Sequence, residues 1–75
     1  MAKKTNEEQF LNAVGARLRQ IRLEKGWTLE ETEEYGWPNW RHLQKIESGK
    51  NFTLASLYRI SRLYKLPVSE ILKEL

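Results

Sequence analysis

Breakers at Gly26, Gly36 to Pro38, Gly49 and Pro67 divide the chain into stretches whose apolar residues recur at helical spacing, and all but the first are short. A helix shorter than about 12 to 15 residues is marginal in water by itself. Such pieces persist only by burying their apolar stripes against one another, so the chain is confined to a bundle of packed helices. Neither an alternating run of β-branched residues nor an Asn-Gly hairpin turn occurs, and no strand is expected.

The spacing predicts a first helix from Asn6 to Lys25, with Phe10, Val14, Leu18 and Ile21 on its apolar stripe and Gly26 as its stop. Thr28 and Glu31 form a capping box for a short second helix that ends near Tyr35 and Gly36, since Pro38 drives Trp37 out of the α region. Asn39 caps a third helix, Trp40 to Glu47, with Leu43 and Ile46 facing inward and Gly49 marking its end. Thr53 caps a fourth, with Leu54, Leu57, Ile60 and Leu63 on one face, until Pro67 interrupts it. Ser69 caps a last short helix carrying Ile71, Leu72 and Leu75. The expected fold is all-α, a compact five-helix bundle.

With 75 residues the chain fits one domain, with a core over about residues 8–75 and a flexible arm over 1–6. There is no Cys and a single His, so neither a disulfide nor a metal is expected to support so small a core, and a partner chain is the remaining support. No stretch approaches the roughly 18 consecutive apolar residues of a membrane span, and the first residues lack the apolar heart of a signal peptide. A soluble, cytoplasmic protein is expected.

The net charge of +3 is unevenly spread: residues 1–25 carry +3, residues 26–36 carry −4, residues 37–65 carry +5 and the remainder −1. Positive charge gathers around the third and fourth helices and points to a polyanion as partner. The second and third helices are joined by a tight turn. On the third, a rotation of about 100° per residue puts Arg41, Gln44 and Lys45 on the side opposite Leu43 and Ile46. Two short helices joined in this way, the second with a polar outer face, form the arrangement that sets a helix in the major groove of DNA.

The residues that carry a resemblance are Leu18-x3-Arg22-x3-Gly26-x-Thr28, then Leu43-x2-Ile46-Glu47-x-Gly49-Lys50, then Thr53-Leu54-x2-Leu57. In these the chain resembles the phage-repressor and Cro type, or XRE family, of helix-turn-helix proteins, over roughly residues 12–73 and without insertion or deletion from Thr28 to Gly49. The resemblance implies a lambda repressor-like DNA-binding fold. It implies that Arg22 and Glu47 pair to lock the first helix to the reading helix. It implies base contacts from Trp40, Arg41, Gln44 and Lys45. Arg suits guanine O6 and N7, and Gln suits adenine N6 and N7. Phosphate contacts are expected at the rim, from Thr28, Lys50, Asn51 and Thr53.

The chain departs from the family pattern in its second helix. Leu29 stands where the family commonly has Gln, and Thr32-Glu33 where it has a small apolar residue. The four Glu of that helix would oppose phosphate unless they face away from the duplex. Leu29, Thr32 and Gly36 share one face and can still make a reduced core contact. Tyr35, Trp37 and Trp40 make the turn unusually aromatic, which reads either as a stacking platform for single strands or, more economically, as packing. Trp40, at the edge of the core face, is left open between core and a thymine methyl.

His42 lacks neighbours at metal-ligand spacing and reads as a helix residue at the core margin. Neither a nucleophile with a paired base nor a phosphate-binding Gly-rich loop is found, so no catalytic residue, cofactor, metal or small-molecule ligand is expected. The leading reading is a small regulator that binds double-stranded DNA as a homodimer on a two-fold-related operator, of the restriction-modification controller, phage-repressor or antitoxin type. The length leaves no room for a ligand-sensing domain. Leu63, Tyr64, Ile71, Leu72 and Leu75 are candidates for the dimer face, although the same residues serve equally to close the core. The alternative is a protein-interaction module that keeps the fold without reading DNA.

Overall fold

A computed structural model describes residues 5–75 as helices α1 (Asn6–Glu24), a 3-10 helix (Glu30–Tyr35), α2 (Trp40–Glu47), α3 (Leu54–Tyr64) and α4 (Val68–Ile71). Of the arm expected over residues 1–6, residues 1–4 lie outside the described ones. Thr5 and Asn6 are already the cap and first residue of α1, with Thr5 Oγ1 accepting the Glu8 amide at 3.1 Å. None of the described helices is long and apolar enough to cross a membrane.

The stripe of α1 buries Val14, Leu18 and Ile21. Phe10, expected on the same stripe, is exposed because it lies beyond the packed part of the helix, over a shallow groove with Leu11 and Asn51. Between Val14 and Leu18, α1 crosses α2 at Gly15, where a Cβ would stand 2.6 Å from the carbonyl oxygens of both Ile46 and Glu47. A helix-interior Gly costs about 1 kcal/mol relative to Ala, and here the close approach explains it.

The second helix is a 3-10 helix rather than a regular α-helix. Thr28 and Glu31 do exchange the bonds of a capping box, 3.0 and 3.1 Å, yet helical structure begins only at Glu30. Thr32 donates its hydroxyl proton back to the Leu29 carbonyl, which favours the tighter winding. Gly36 ends the element in the left-handed region at φ 109°. Thr32 itself is fully buried, so the reduced core contact of this helix is present.

Trp37 lies in the core at 3% exposure, its indole N–H donating to the Asn39 carbonyl at 2.9 Å. It thus supplies volume in the turn as packing, and His42, which is exposed, stacks on it with ring centroids 5.7 Å apart. On α3 the buried stripe is Leu57, Ile60 and Tyr64. Leu54 is a correction: at 83% exposure it is outside the core. It sits about 60° round from Leu57, in the first turn, where no other helix covers it. Lys65 then turns left-handed at φ 57°.

Within α4, the expected cap Ser69 is the second helical residue. Pro67 takes the cap position, since its fixed φ and missing N–H suit a helix entrance. Ile71 is buried and Leu72 packs against the core, whereas Leu75 is exposed. The result is an all-helical bundle whose interior is filled from every element.

Candidate nucleic-acid interface

Asn39 starts α2 by accepting the Arg41 amide on its side-chain oxygen at 3.0 Å. The amide before it, that of Trp40, donates to Glu33 Oε2 at 2.8 Å, so the head of α2 is held by a carboxylate from the 3-10 helix. This bond has no local signature, because the two residues sit on different elements across a turn. It shows what one of the four Glu does: it offsets the positive end of the helix dipole.

Leu43 and Ile46 fix α2 to the core, and Arg41, Gln44 and Lys45 are exposed on the other side. The four residues expected to read bases therefore divide. Trp40 is half-buried and lies under the Arg41 guanidinium, whose carbon is 4.8 Å from the indole centroid. Stacking of this kind spreads a cation over an aromatic face while leaving its N–H edges available. Arg41 has no carboxylate partner among the described residues.

The tail of α2 is held by Glu47. Arg22 Nε donates to its Oε2 at 2.8 Å and Arg22 Nη2 to its Oε1 at 2.9 Å, while Nη1 reaches the Trp27 carbonyl at 2.7 Å. Both side chains are more than nine-tenths buried. Hydrogen bonding to Glu47 raises the Arg22 pKa above its ordinary value, against the opposing effect of burial. Gly15 is the residue that lets α1 come near enough for this fork to close.

The rim residues are all exposed, and three of the four already serve the chain. Thr28 bonds Glu31 in both directions, which holds the Glu31 carboxyl below its usual range. Asn51 accepts the Phe52 amide at 2.9 Å, and Thr53 caps α3 by accepting the Ser56 amide at 3.1 Å. Lys50, which follows Gly49 in its left-handed turn at φ 99°, makes no ion pair or hydrogen bond through its ammonium among the described residues.

Of the dimer-face candidates, Tyr64 and Ile71 are spent on the chain's own core at 1% and 0% exposure. A residue enclosed by its own helices has no surface to offer a partner. Leu63 and Leu72 are half-buried, and Leu75 is exposed.

Sequence reasoning also missed the stack of Trp27 on Tyr35, centroids 4.0 Å apart and planes within 8°. The breaks at Gly26 and Gly36 place both rings beside a turn, but pairing across the 3-10 helix has no local signature.

No curated protein and no solved structure matches the chain. The model of the helix-turn-helix family matches residues 18–71, which span the last two turns of α1, the 3-10 helix, α2, α3 and α4. That family is one of DNA-binding regulatory domains and not of enzymes. With its two short helices, its outward polar face and this match over most of its length, the chain belongs to the XRE-type helix-turn-helix family of DNA-binding regulators.

Proposed function

We propose that the chain is a homodimeric, sequence-specific transcription regulator that lays α2 in the major groove of double-stranded DNA. The observation that carries this reading is the split of α2, with Arg41, Gln44 and Lys45 exposed opposite the buried Leu43 and Ile46. In it Arg41 pairs with guanine, Gln44 and Lys45 read neighbouring base edges, and Trp40 supports Arg41 and meets a base edge only at its ring margin. Thr28, Lys50, Asn51 and Thr53 contact phosphate, Lys50 by charge, Thr28 and Thr53 through their hydroxyls and Asn51 through its side-chain amide.

As a homodimer it engages half-sites about 34 Å apart, one helical turn of the duplex. Control by protein concentration, as in restriction-modification controllers, phage repressors or antitoxins, belongs to this reading. Selection of bound sites from a random duplex pool tests the whole reading. Two-fold-related half-sites and a steep loss of affinity with salt are expected. Weak binding without sequence preference would sink it in favour of a protein-interaction module.

A further inference from the structure

The amides that open α2 are already occupied. Trp40 N–H donates to Glu33 Oε2 at 2.8 Å, Arg41 N–H to Asn39 Oδ1 at 3.0 Å and His42 N–H to the Asn39 carbonyl at 3.1 Å. Free amides at a helix start, together with the positive end of its dipole, form a ready site for phosphate. Here that place is filled from within the chain, and by an anion. Glu33 is exposed, and apart from the Trp40 amide its carboxylate has no hydrogen-bond or ion-pair partner among the described residues.

The first turn of α2 has no acidic residue of its own, so the negative charge at its head is brought there by the 3-10 helix. Arg41 and Glu33 are both attached to Trp40, the guanidinium over its ring at 4.8 Å and the carboxylate at its amide, yet they form no ion pair with each other. The head of α2 thus carries a cation and an anion, each held by a separate contact to the same residue.

A reading helix brings its N-terminal residues to the base edges, so a group fixed at that end goes to the DNA with it. A carboxylate there repels phosphate, and the repulsion falls with distance. It is largest for docking modes in which the head of α2 rests on the backbone, and smaller when the head is seated over base edges. Binding without sequence preference depends on phosphate contacts, so the first kind of mode is the one penalised. Discrimination is a difference of affinities, and a repulsive element against the wrong mode raises it as well as an attractive one for the right mode. We propose that Glu33 is a specificity-determining residue, which occupies the head of α2 with a fixed negative charge and bars that end of the helix from the phosphate backbone. This deepens the DNA-reading proposal and rests on it.

The test compares the affinity of the full chain for its selected duplex and for a random duplex, at about 0.1 M salt, in the wild type, Glu33→Gln, Glu33→Ala and Glu34→Gln. Gln keeps an acceptor for the Trp40 amide and removes the charge, and Ala removes both. Glu34→Gln makes the same change in net charge at an exposed neighbour that has no bond to α2. Affinity for the random duplex is expected to rise about fivefold or more in Glu33→Gln, and further in Glu33→Ala, where the Trp40 amide is opened to phosphate. Affinity for the selected duplex rises less, so the ratio of the two falls about threefold or more, while Glu34→Gln leaves it within about twofold. Thermal melts confirm folding, and Glu33→Gln stands in for a Glu33→Ala chain that fails to fold. Three results overturn the proposal: a ratio unchanged in both Glu33 variants, a ratio that falls as far in Glu34→Gln, or an altered preference at one base pair with unchanged affinity for the random duplex, which would make Glu33 a base reader. A wild-type chain that selects no site overturns the DNA-reading proposal together with this one.

Discussion

Arg22 grips Glu47 through a two-pronged fork, 2.8 and 2.9 Å, that joins the last turns of α1 and α2 in a nearly water-free setting. Helix α2 is thereby fixed to α1, the longest element of the bundle. Removing one member of a buried pair strands the other, at a cost of about 3 to 5 kcal/mol. Glu47→Ala is expected to lower the denaturation midpoint by a corresponding amount, measured by chemical unfolding. An unchanged midpoint would show that the fork contributes nothing.

Arg41 and Lys50 are expected to fail differently. Arg41→Ala relaxes the preference at one base pair by about 1 to 3 kcal/mol and leaves the other positions alone. Lys50→Ala weakens all duplexes alike and flattens the slope of affinity against salt by about one unit. Site selection and salt titration on both variants separate the two roles, and an identical effect would refute the division between base reading and rim.

Gly15→Ala puts a methyl 2.6 Å from two carbonyl oxygens of α2. Since the neighbour is backbone, the helices must part, and a loss of about 1 to 3 kcal/mol is expected. Part of it should come from a loosened Arg22–Glu47 fork. Combined with Glu47→Ala, the loss is therefore less than additive, which a double-mutant cycle in urea would show.

Tyr64 is buried, and its hydroxyl has no hydrogen-bond partner among the described residues. Burial, aided by the charge of Glu47 and opposed by Arg22, pushes its pKa above the ordinary tyrosine range. The stability this confers is fully present below the unfolded value of about 10, and is lost as the pH rises beyond it because the unfolded chain ionises first. Tyr64→Phe is expected to abolish this alkaline loss, and at pH 7 to be neutral or stabilising by about 1 kcal/mol. Thermal melts of both proteins from pH 7 to 11 check the prediction, and a destabilised variant at pH 7 would contradict it.

The bounds of α2 were legible in the sequence because Asn39 and Gly49 are local signals, each acting on backbone groups within a few residues. The inward and outward faces of α2 followed from periodicity alone. Leu54 and Phe10 were misplaced for a related reason: periodicity gives the direction of a side chain but not whether another helix reaches that far along. The link between Arg22 and Glu47 came only from family resemblance, since residues so distant in sequence carry no local mark of contact. Gly15 and Glu33 were missed because each acts on the backbone of another element, at a point fixed by packing.

Both ends of α2 are secured by groups that do not look toward the outer face: Glu33 and Asn39 at its start, Arg22 through Glu47 at its close. Apart from the stack of Arg41 on Trp40, the side chains of Arg41, Gln44 and Lys45 make no hydrogen bond or ion pair among the described residues. They form an interchangeable set: on the proposed reading, a different DNA address can be written at these positions without renegotiating how the domain folds.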